Sequence, residues 1–277
     1  AGIFAYLLLA PNPKADELLA RRNLETTIDA QSDELQDMIA AIENDPNLSE
    51  AEQEALTDPL REALDTLQQQ GISQQEAVAA LAEATRGAAK GYRYVIYLTV
   101  STGIGSGIID DGHLLLGAQG LGAEAGHMMM AVDGTVRDWE GVGSGTAIAR
   151  RAKEKLNAGA ESRIRELVNG DIDSVTAKTV SQAAAEGDEL ALELMTYAGR
   201  MVGLGIVSLM HLLNPQIVVV GGGVTKAGDL LFEPIRSTVR HWAMTPLYWE
   251  ETEIVPAELG DDAGLLGALA LAAQQSF

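Results

Sequence analysis

Residues 94–107 read YVIYLTVSTGIGSG, a run of β-branched and aromatic residues that passes directly into a glycine-rich segment. The run predicts a strand, because such side chains suit a pleated, half-buried surface. Glycines after a strand let the backbone approach a bound phosphate and turn its N–H groups toward it, and Thr102 adds a hydroxyl donor. The alternative is a tight hairpin of small residues, and the spacing fits neither the dinucleotide fingerprint nor a Walker loop.

Strands and helices alternate along the rest of the chain. Residues 108–116 predict a hairpin, and residues 217–220 predict a buried strand that runs into three glycines. A last strand is predicted near residues 253–256. Helices are predicted at residues 145–157, 161–168, 178–186, 188–212, 227–243 and 264–274. This alternation indicates a layered α/β domain, in which ligands bind beyond the carboxyl ends of the strands.

The first part of the chain has a different character. Residues 13–70 are polar, acidic and favourable to helices. Ser73 with Glu76 predicts a capping box, in which the two side chains bond the first turn of a helix. We therefore divide the chain into an acidic helical region, residues 1–90, and an α/β lobe, residues 91–277.

The composition excludes several classes of partner and site. A net charge of −21 and an isoelectric point of about 4.4 oppose binding to nucleic acid and to anionic membranes, since phosphates would be repelled. No cysteine is present, which excludes disulfides, cysteine-ligated zinc and thiol catalysis. The apolar run at residues 3–10 is too short to span a bilayer. We expect a cytoplasmic protein with no nucleic-acid partner and no membrane partner.

Two short segments carry candidate ligand-binding side chains. Glu124 and His127 can both face one polar ligand, because a carboxylate accepts hydrogen bonds from hydroxyls and an imidazole donates or accepts them. Glu140 in the segment Asp138-Trp139-Glu140 precedes a small-residue turn and can add another hydroxyl acceptor. Taken alone, the first segment also fits a surface turn with a satisfied histidine, and the second fits a solvated acidic start of a helix.

Five segments in a fixed order carry a resemblance. TGIGSGI, GAQGLGAEAGHM, the following SG turn, LNPQIVVVGGGV and GDDAGLLGAL resemble the ROK family of ATP-dependent sugar kinases and sugar-responsive regulators, over about residues 77–277. The resemblance implies an α/β, actin/hexokinase-like (ribonuclease H-like) lobe, here with an atypical, mainly helical N-terminal region. It also implies ATP with Mg²⁺, a hexose or amino-sugar substrate, and a homodimer.

The resemblance assigns roles to individual residues of this sequence. The residues that match the family's second phosphate-binding loop are Thr102, Gly103 and Gly105, and Ser101 stands where a glycine is common. The residues that match its sugar contacts are Glu124, His127 and Glu140. The residues that match its adenosine-side loop are Gly221, Gly222 and Gly223.

The sequence departs from the family pattern at three places. Many members carry a cysteine-rich zinc motif after the histidine, but residues 131–142 contain no cysteine, so we expect no zinc and no metal ligands from the protein. No Asp-x-Gly-Gly-Thr phosphate loop occurs in residues 1–90. Gln75 stands at the position of the family's general base, an Asp, and an amide cannot take a proton from a hydroxyl. Glu76 is the catalytic candidate if the helix is shifted by one residue, and its alternative role is the capping box.

The resemblance therefore predicts ATP-dependent phosphorylation of a hexose or amino sugar. Loss of the first phosphate loop together with the base would impair this reaction severely, because such groups act as a unit. Two alternatives stay open, a catalytically inactive sugar-binding relative and a truncated or rearranged chain. The residues do not specify which sugar is used.

Overall fold

A computed structural model of the chain describes residues 75–260 without interruption. Outside that range it describes Gln36, residues 39–44, Pro46, Ser49, Gln53, Thr57, Arg61 and Ala263. The chain divides into two compact units, residues 1–75 with 271–277 and residues 76–270. Every residue to which the sequence assigned a site role lies in the second unit.

The described residues of the first unit agree with its predicted helical character. Residues 39–43 are helical, and so are Gln53, Thr57 and Arg61. The Arg61 guanidinium donates a hydrogen bond of 2.5 Å to the Glu43 carboxylate, and both side chains are exposed. An exposed pair of this kind contributes at most about 1 kcal/mol. The predicted capping residue Ser73 and the predicted helix at residues 264–274 lie outside the described residues.

The second unit is built around a mixed sheet. Its strands are β1 (Val95–Val100), β2 (Ile104–Asp110), β3 (His113–Leu114), β6 (Ile217–Gly221) and β7 (Glu253–Pro256), and a separate hairpin consists of β4 (Met129–Val132) and β5 (Thr135–Asp138). The order across the sheet is β3-β2-β1-β6-β7. β1 is antiparallel to β2 and parallel to β6, which is parallel to β7. The carboxyl ends of β1 and β6 therefore meet at one edge of the sheet, where Thr99 pairs with Gly221.

Helices cover the sheet and supply most of the remaining core. They are α1 (Gln75–Arg86), α2 (Glu140–Gly143), α3 (Gly145–Asn157), α4 (Ile164–Leu167), α5 (Ala177–Ala185), α6 (Glu189–Leu213), α7 (Asp229–Trp242) and α8 (Leu247–Glu250). These bounds confirm the helices predicted between residues 145 and 243 to within a few residues. α6 is long and apolar enough to cross a bilayer, but 61% of its most apolar stretch is buried in the protein, as in a core helix.

The glycine-rich segment is divided differently from the sequence prediction. Residues 101–103 form the turn, whereas residues 104–107 are part of β2. α1 lies directly against these strand glycines. A Cβ at residue 105 would overlap the Glu76 side chain, and one at residue 107 would overlap the Glu76 backbone and Ala80. The glycines in β2 thus permit close approach of a helix, a recognised use of glycine in a strand.

α1 precedes the predicted domain boundary after residue 90, although it contacts the α/β lobe that follows that boundary. A boundary after residue 90 assigns α1 to the acidic N-terminal region, yet α1 packs on β2 of the α/β lobe. The fully buried Glu83 fastens it further, because its carboxylate accepts hydrogen bonds from the N–H groups of Glu258 and Leu259 at 3.0 and 2.9 Å. Both donors lie in the loop that follows β7, so α1 contacts β2 and also the loop after the edge strand β7.

A buried tryptophan fixes the region between β5 and α2. Trp139 is 0% exposed, and its indole N–H donates a 3.0 Å hydrogen bond to the Met201 carbonyl in α6. Gly205 of α6 leaves the space that the ring occupies, since a Cβ there would overlap it. The neighbours Asp138 and Glu140 are thereby held at defined positions at the rim of the core.

Candidate functional site

The glycine turn is attached to the first turn of α3. Ser144 caps this helix by accepting a 3.2 Å hydrogen bond from the Ala147 N–H. The N–H of Gly145 donates to the Ser101 carbonyl at 2.7 Å, and that of Thr146 reaches the Thr102 carbonyl at 3.4 Å. A Cβ at residue 145 would overlap the Ser101 carbonyl. The helix terminus therefore holds the turn in place, and its own first N–H groups are already used.

The three glycines after β6 have three different environments. Gly221 is buried, and a Cβ there would meet the hydroxyl of Tyr97. Gly222 has a φ of 90°, and a Cβ there would overlap the backbone of Val100. Gly223 is exposed and faces open space, so no neighbour requires a glycine there. Only Gly222 is required by both backbone conformation and close packing, and it lies next to the end of β1, directly before the glycine turn.

Glu140 lies against the glycine turn from the other side. Its carboxylate accepts a 3.3 Å hydrogen bond from the Ile104 N–H. A Cβ at residue 103 would lie 2.6 Å from the same carboxylate oxygen. The carboxylate is half-buried at the first residue of α2. Gly103 is therefore needed for the approach of Glu140, in addition to any role toward a ligand.

The loop that carries Glu124 and His127 is fixed to the start of β2. Ser106 is buried, donates its hydroxyl hydrogen to the Ala123 carbonyl and accepts a 3.1 Å hydrogen bond from the Ala125 N–H. A Cβ at residue 126 would overlap the Ile104 carbonyl, so this loop also needs a glycine. The side chains of Glu124 and His127 are exposed on either side of these anchored residues.

Glu76 completes a group of carboxylates around the first residues of β2. Its side chain lies over Gly105 and is half-buried. Burial raises the pKa of Glu76, its hydrogen bond to its own backbone N–H opposes this, and the negative charge of Glu124 raises the pKa further. Glu76 and Glu124 therefore act on each other electrostatically, and the raised pKa gives Glu76 a greater affinity for a proton than an ordinary carboxylate.

Three side chains near this group place potential metal-ligand atoms close together. His127, Asp138 and Glu140 place one donor atom each within 4.8 Å of one another. Nitrogen and carboxylate oxygen together suit several divalent cations. One oxygen of Asp138 also accepts a 3.0 Å hydrogen bond from the Gly141 N–H, which orients the carboxyl group. The absence of protein metal ligands expected from the sequence stays a prediction.

The structure places the sequence-selected residues at one end of the sheet. Glu76 and Glu124 lie together, His127 and Glu140 lie together, and both pairs border residues 103–106 of β2. Thr102 and Gly103 are in the turn itself, whereas Gly105 lies beneath Glu76 and has a packing role of its own. The assigned roles in binding stay predictions.

Sequence reasoning missed some residues of this region. Arg137 and Thr146 line a cleft of about 430 Å³ beside Thr102, Gly103 and Glu140. The hairpin of β4 and β5, which carries Arg137, was also not predicted. Its signal was available in the Asp133-Gly134 pair, a frequent hairpin turn.

Comparison with known proteins identifies a matching family and several related proteins. The ROK family matches residues 20–275, a range that begins well before the segment on which the sequence resemblance rested. A glucokinase of Streptomyces coelicolor is 36% identical over 202 residues, covering 70% of this chain and 64% of the relative. The DNA-binding transcriptional dual regulator NagC of Escherichia coli is 32% identical over 198 residues, covering 69% of this chain and 47% of the relative.

A solved structure gives the same relationship in three dimensions. A ROK family glucokinase from Streptomyces griseus, crystallised with glucose and AMPPNP, superposes with a TM-score of 0.65 at 36% identity. The match covers 72% of this chain and 67% of that one. The actin/hexokinase-like fold expected from the sequence is thereby confirmed. The chain spans 64% of the length of the Streptomyces coelicolor glucokinase, slightly under two thirds.

Proposed function

The chain belongs to the ROK family, and from this membership we propose that it transfers the terminal phosphoryl group of ATP to a hydroxyl group of a hexose or an amino sugar. The observation that carries the proposal is the position of Glu76. Its carboxyl group lies over Gly105, next to Glu124, within a group of side chains suited to bind hydroxyls. A carboxylate with a raised pKa at such a site can take the proton of an attacking hydroxyl.

The sugar is proposed to lie among Glu124, His127 and Glu140. Carboxylate oxygens accept hydrogen bonds from sugar hydroxyls, and an imidazole can donate or accept. The loops that carry these side chains are anchored on β2 through Ser106 and Ile104, which supports a site that is already formed before the sugar binds. The ring size and the substituents of the sugar are not specified by these contacts.

ATP is proposed to lie along the edge where β1 and β6 end. The open space at Gly223 and the tight position of Gly222 beside Val100 suit a flat nucleoside group lying on the backbone. Thr102 and Gly103 are one turn further along the same edge, where the phosphates would lie. We propose that the Mg²⁺ that accompanies ATP is held by the phosphates and neutralises their charge.

We propose that phosphoryl transfer and proton transfer occur in one step. The sugar oxygen forms a bond to the terminal phosphorus, the bond between that phosphorus and the ADP oxygen breaks, and Glu76 receives the hydroxyl proton. Phosphoryl transfer depends mainly on positioning and on charge compensation, so the anchored loops matter as much as the base. A base of this kind typically contributes about 10²- to 10⁴-fold to the rate.

An alternative is supported by the residue next to Glu76. Gln75 stands where the family has its Asp base, and its amide cannot accept the proton. If Glu76 does not replace that base, the same groups bind a sugar without phosphorylating it. NagC is a relative that is described as a DNA-binding regulator rather than as a kinase. The alternative predicts sugar binding without turnover.

The decisive experiment measures ADP release from ATP and Mg²⁺ with glucose, N-acetylglucosamine, N-acetylmannosamine, fructose and allose. We expect turnover that depends on one of these sugars and falls about 10²- to 10⁴-fold in Glu76→Gln. Glu161→Gln is the matched control, because Glu161 is exposed and lies outside this group. Sugar binding by calorimetry without any ADP release from folded protein would exclude the kinase and leave the binding alternative.

A further inference from the structure

A cleft beside the glycine turn has no role in the sugar site. It has a volume of about 430 Å³ and lies between the turn, the end of β5 and the first residues of α3. Thr102, Gly103 and Thr146 line it together with Arg137 and Arg150. Glu140 forms the border toward the sugar site, where its carboxylate is already bonded to the Ile104 N–H.

The turn offers backbone donors to this cleft. Within residues 75–260, neither the Thr102 N–H nor the Gly103 N–H donates a hydrogen bond to another described residue. Thr102 is exposed, so both groups can meet a ligand from solvent. Two successive backbone N–H groups in a turn form a concave site that suits an anion. The N-terminus of α3 does not add to it, because its first N–H groups donate to the Ser101 and Thr102 carbonyls and to Ser144.

The two arginines of the cleft differ in their partners. Arg150 forms a 2.8 Å ion pair with Glu154 and donates a 3.0 Å hydrogen bond to the Gly141 carbonyl. Arg137 is exposed and has no acidic or carbonyl partner among the residues that the structure describes. Its guanidinium therefore remains available for a ligand, in a protein whose net charge is −21.

The hairpin that carries Arg137 is held on the helices behind it. At its turn, the Asp133 carboxylate accepts hydrogen bonds from Arg151 at 2.5 Å and from the Tyr197 hydroxyl at 3.0 Å. The Arg151 guanidinium also lies 3.5 Å above the Tyr197 ring. At the other end, the buried Trp139 fixes the strand two residues after Arg137. Both anchors reduce the conformational freedom that ligand binding would otherwise remove.

We propose that Arg137, together with the Thr102 and Gly103 N–H groups, binds the linear phosphate chain of the phosphoryl donor in this cleft. The inference rests on the proposed function and adds to it a positively charged side chain that contacts the phosphoryl donor. A guanidinium presents a planar set of donors that matches phosphate oxygens, which a lysine cannot reproduce. The shared chemistry is a chain of linked phosphates, found both in ATP and in inorganic polyphosphate.

The test compares two probes on the full chain by calorimetry, ATP with Mg²⁺ and inorganic tripolyphosphate with Mg²⁺. We expect Arg137→Gln to weaken binding of each probe about 10- to 100-fold, because each loses a hydrogen bond to a charged group. Arg137→Lys should recover part of the loss. Lys178→Gln removes one positive charge from an exposed position on α5 that does not line the cleft, and it should leave both affinities unchanged.

The outcomes separate the inference from the function on which it rests. Unchanged affinity in Arg137→Gln, or an equal loss in Lys178→Gln, overturns the role of Arg137 while the kinase proposal stands. Absence of binding of both probes to the wild-type protein overturns both proposals. Binding of tripolyphosphate as tight as that of ATP would show that the phosphate chain alone is recognised in this cleft. Binding of ATP without binding of tripolyphosphate would overturn the inference and assign the affinity to the nucleoside.

Discussion

The carboxyl group of Glu76 occupies the space into which a side chain at residue 105 would project. This relationship joins the first turn of α1 to the second residue of β2. It explains why position 105 is a glycine without reference to a ligand, and it places an acidic group within the proposed site. Substitutions at either position should therefore affect the other.

Glu76→Gln should change the pH dependence of the free energy of unfolding. Burial and the Glu124 charge raise the pKa of Glu76, so the ionised form is disfavoured in the folded protein. The wild-type protein should therefore lose stability as the pH rises from the ordinary carboxyl range through the raised pKa. The Gln side chain does not titrate in this pH range. The variant should therefore be more stable than the wild-type protein at neutral pH, and no more stable than the wild-type protein at acidic pH. Urea unfolding as a function of pH measures the difference.

The same titration sets the pH dependence of turnover. The proposed base works only when ionised, so the rate in the wild-type protein should fall as the pH drops below the raised pKa of Glu76. The acid limb should therefore lie above the ordinary carboxyl range. An acid limb that is identical in Glu76→Gln would assign the titration to another group.

Gly105→Ala should displace Glu76 from its position. The added methyl group would overlap the Glu76 side chain, so we expect a loss of about 1–3 kcal/mol in the free energy of unfolding. The same change made in a Glu76→Ala background should cost less, because the overlapping atoms are gone. A double-mutant cycle by urea unfolding measures this coupling, and additive losses would show that the two residues do not meet.

Gly222→Ala and Gly223→Ala form a matched pair at the end of β6. The first change strains a φ of 90° and overlaps the Val100 backbone, so it should destabilise the protein by about 1–3 kcal/mol. The second adds a methyl group in open space and should change stability by less than about 0.5 kcal/mol. Gly223→Ala should nevertheless raise the KM for ATP, and an unchanged KM would place the nucleoside elsewhere.

Glu83→Ala should be severely destabilising without altering the site directly. The buried carboxylate accepts hydrogen bonds from the N–H groups of Ala88, Glu258 and Leu259. These part-buried hydrogen bonds go to a charged group, and each such bond contributes about 1.5–3 kcal/mol, so the total loss should reach about 3 kcal/mol. Glu83→Gln keeps one carbonyl oxygen and should lose less. Equal stability of the two variants in urea would contradict this account.

Local patterns in the sequence determined most of the secondary structure of residues 91–260. Apolar runs and apolar stripes predicted β1, β6, β7 and the long helices, because the spacing of apolar residues along the chain differs between a strand and a helix. The order of the glycine segments indicated the family and hence the fold. The β4 and β5 hairpin was missed because its strands are short and mostly exposed, which leaves little hydrophobic pattern.

The sequence by itself could not show which neighbouring group requires each glycine, or which group each charged side chain contacts. Gly103, Gly105 and Gly126 all lie in glycine-rich segments and look alike in sequence, yet they admit Glu140, Glu76 and the Ile104 carbonyl respectively. Only the tertiary structure brings these groups together, because each contact joins residues more than twenty positions apart. The same holds for Arg137, which has no acidic partner among the described residues because of where the hairpin lies. Sequence patterns thus determined which elements form, and packing decided which polar groups lie together at the candidate site.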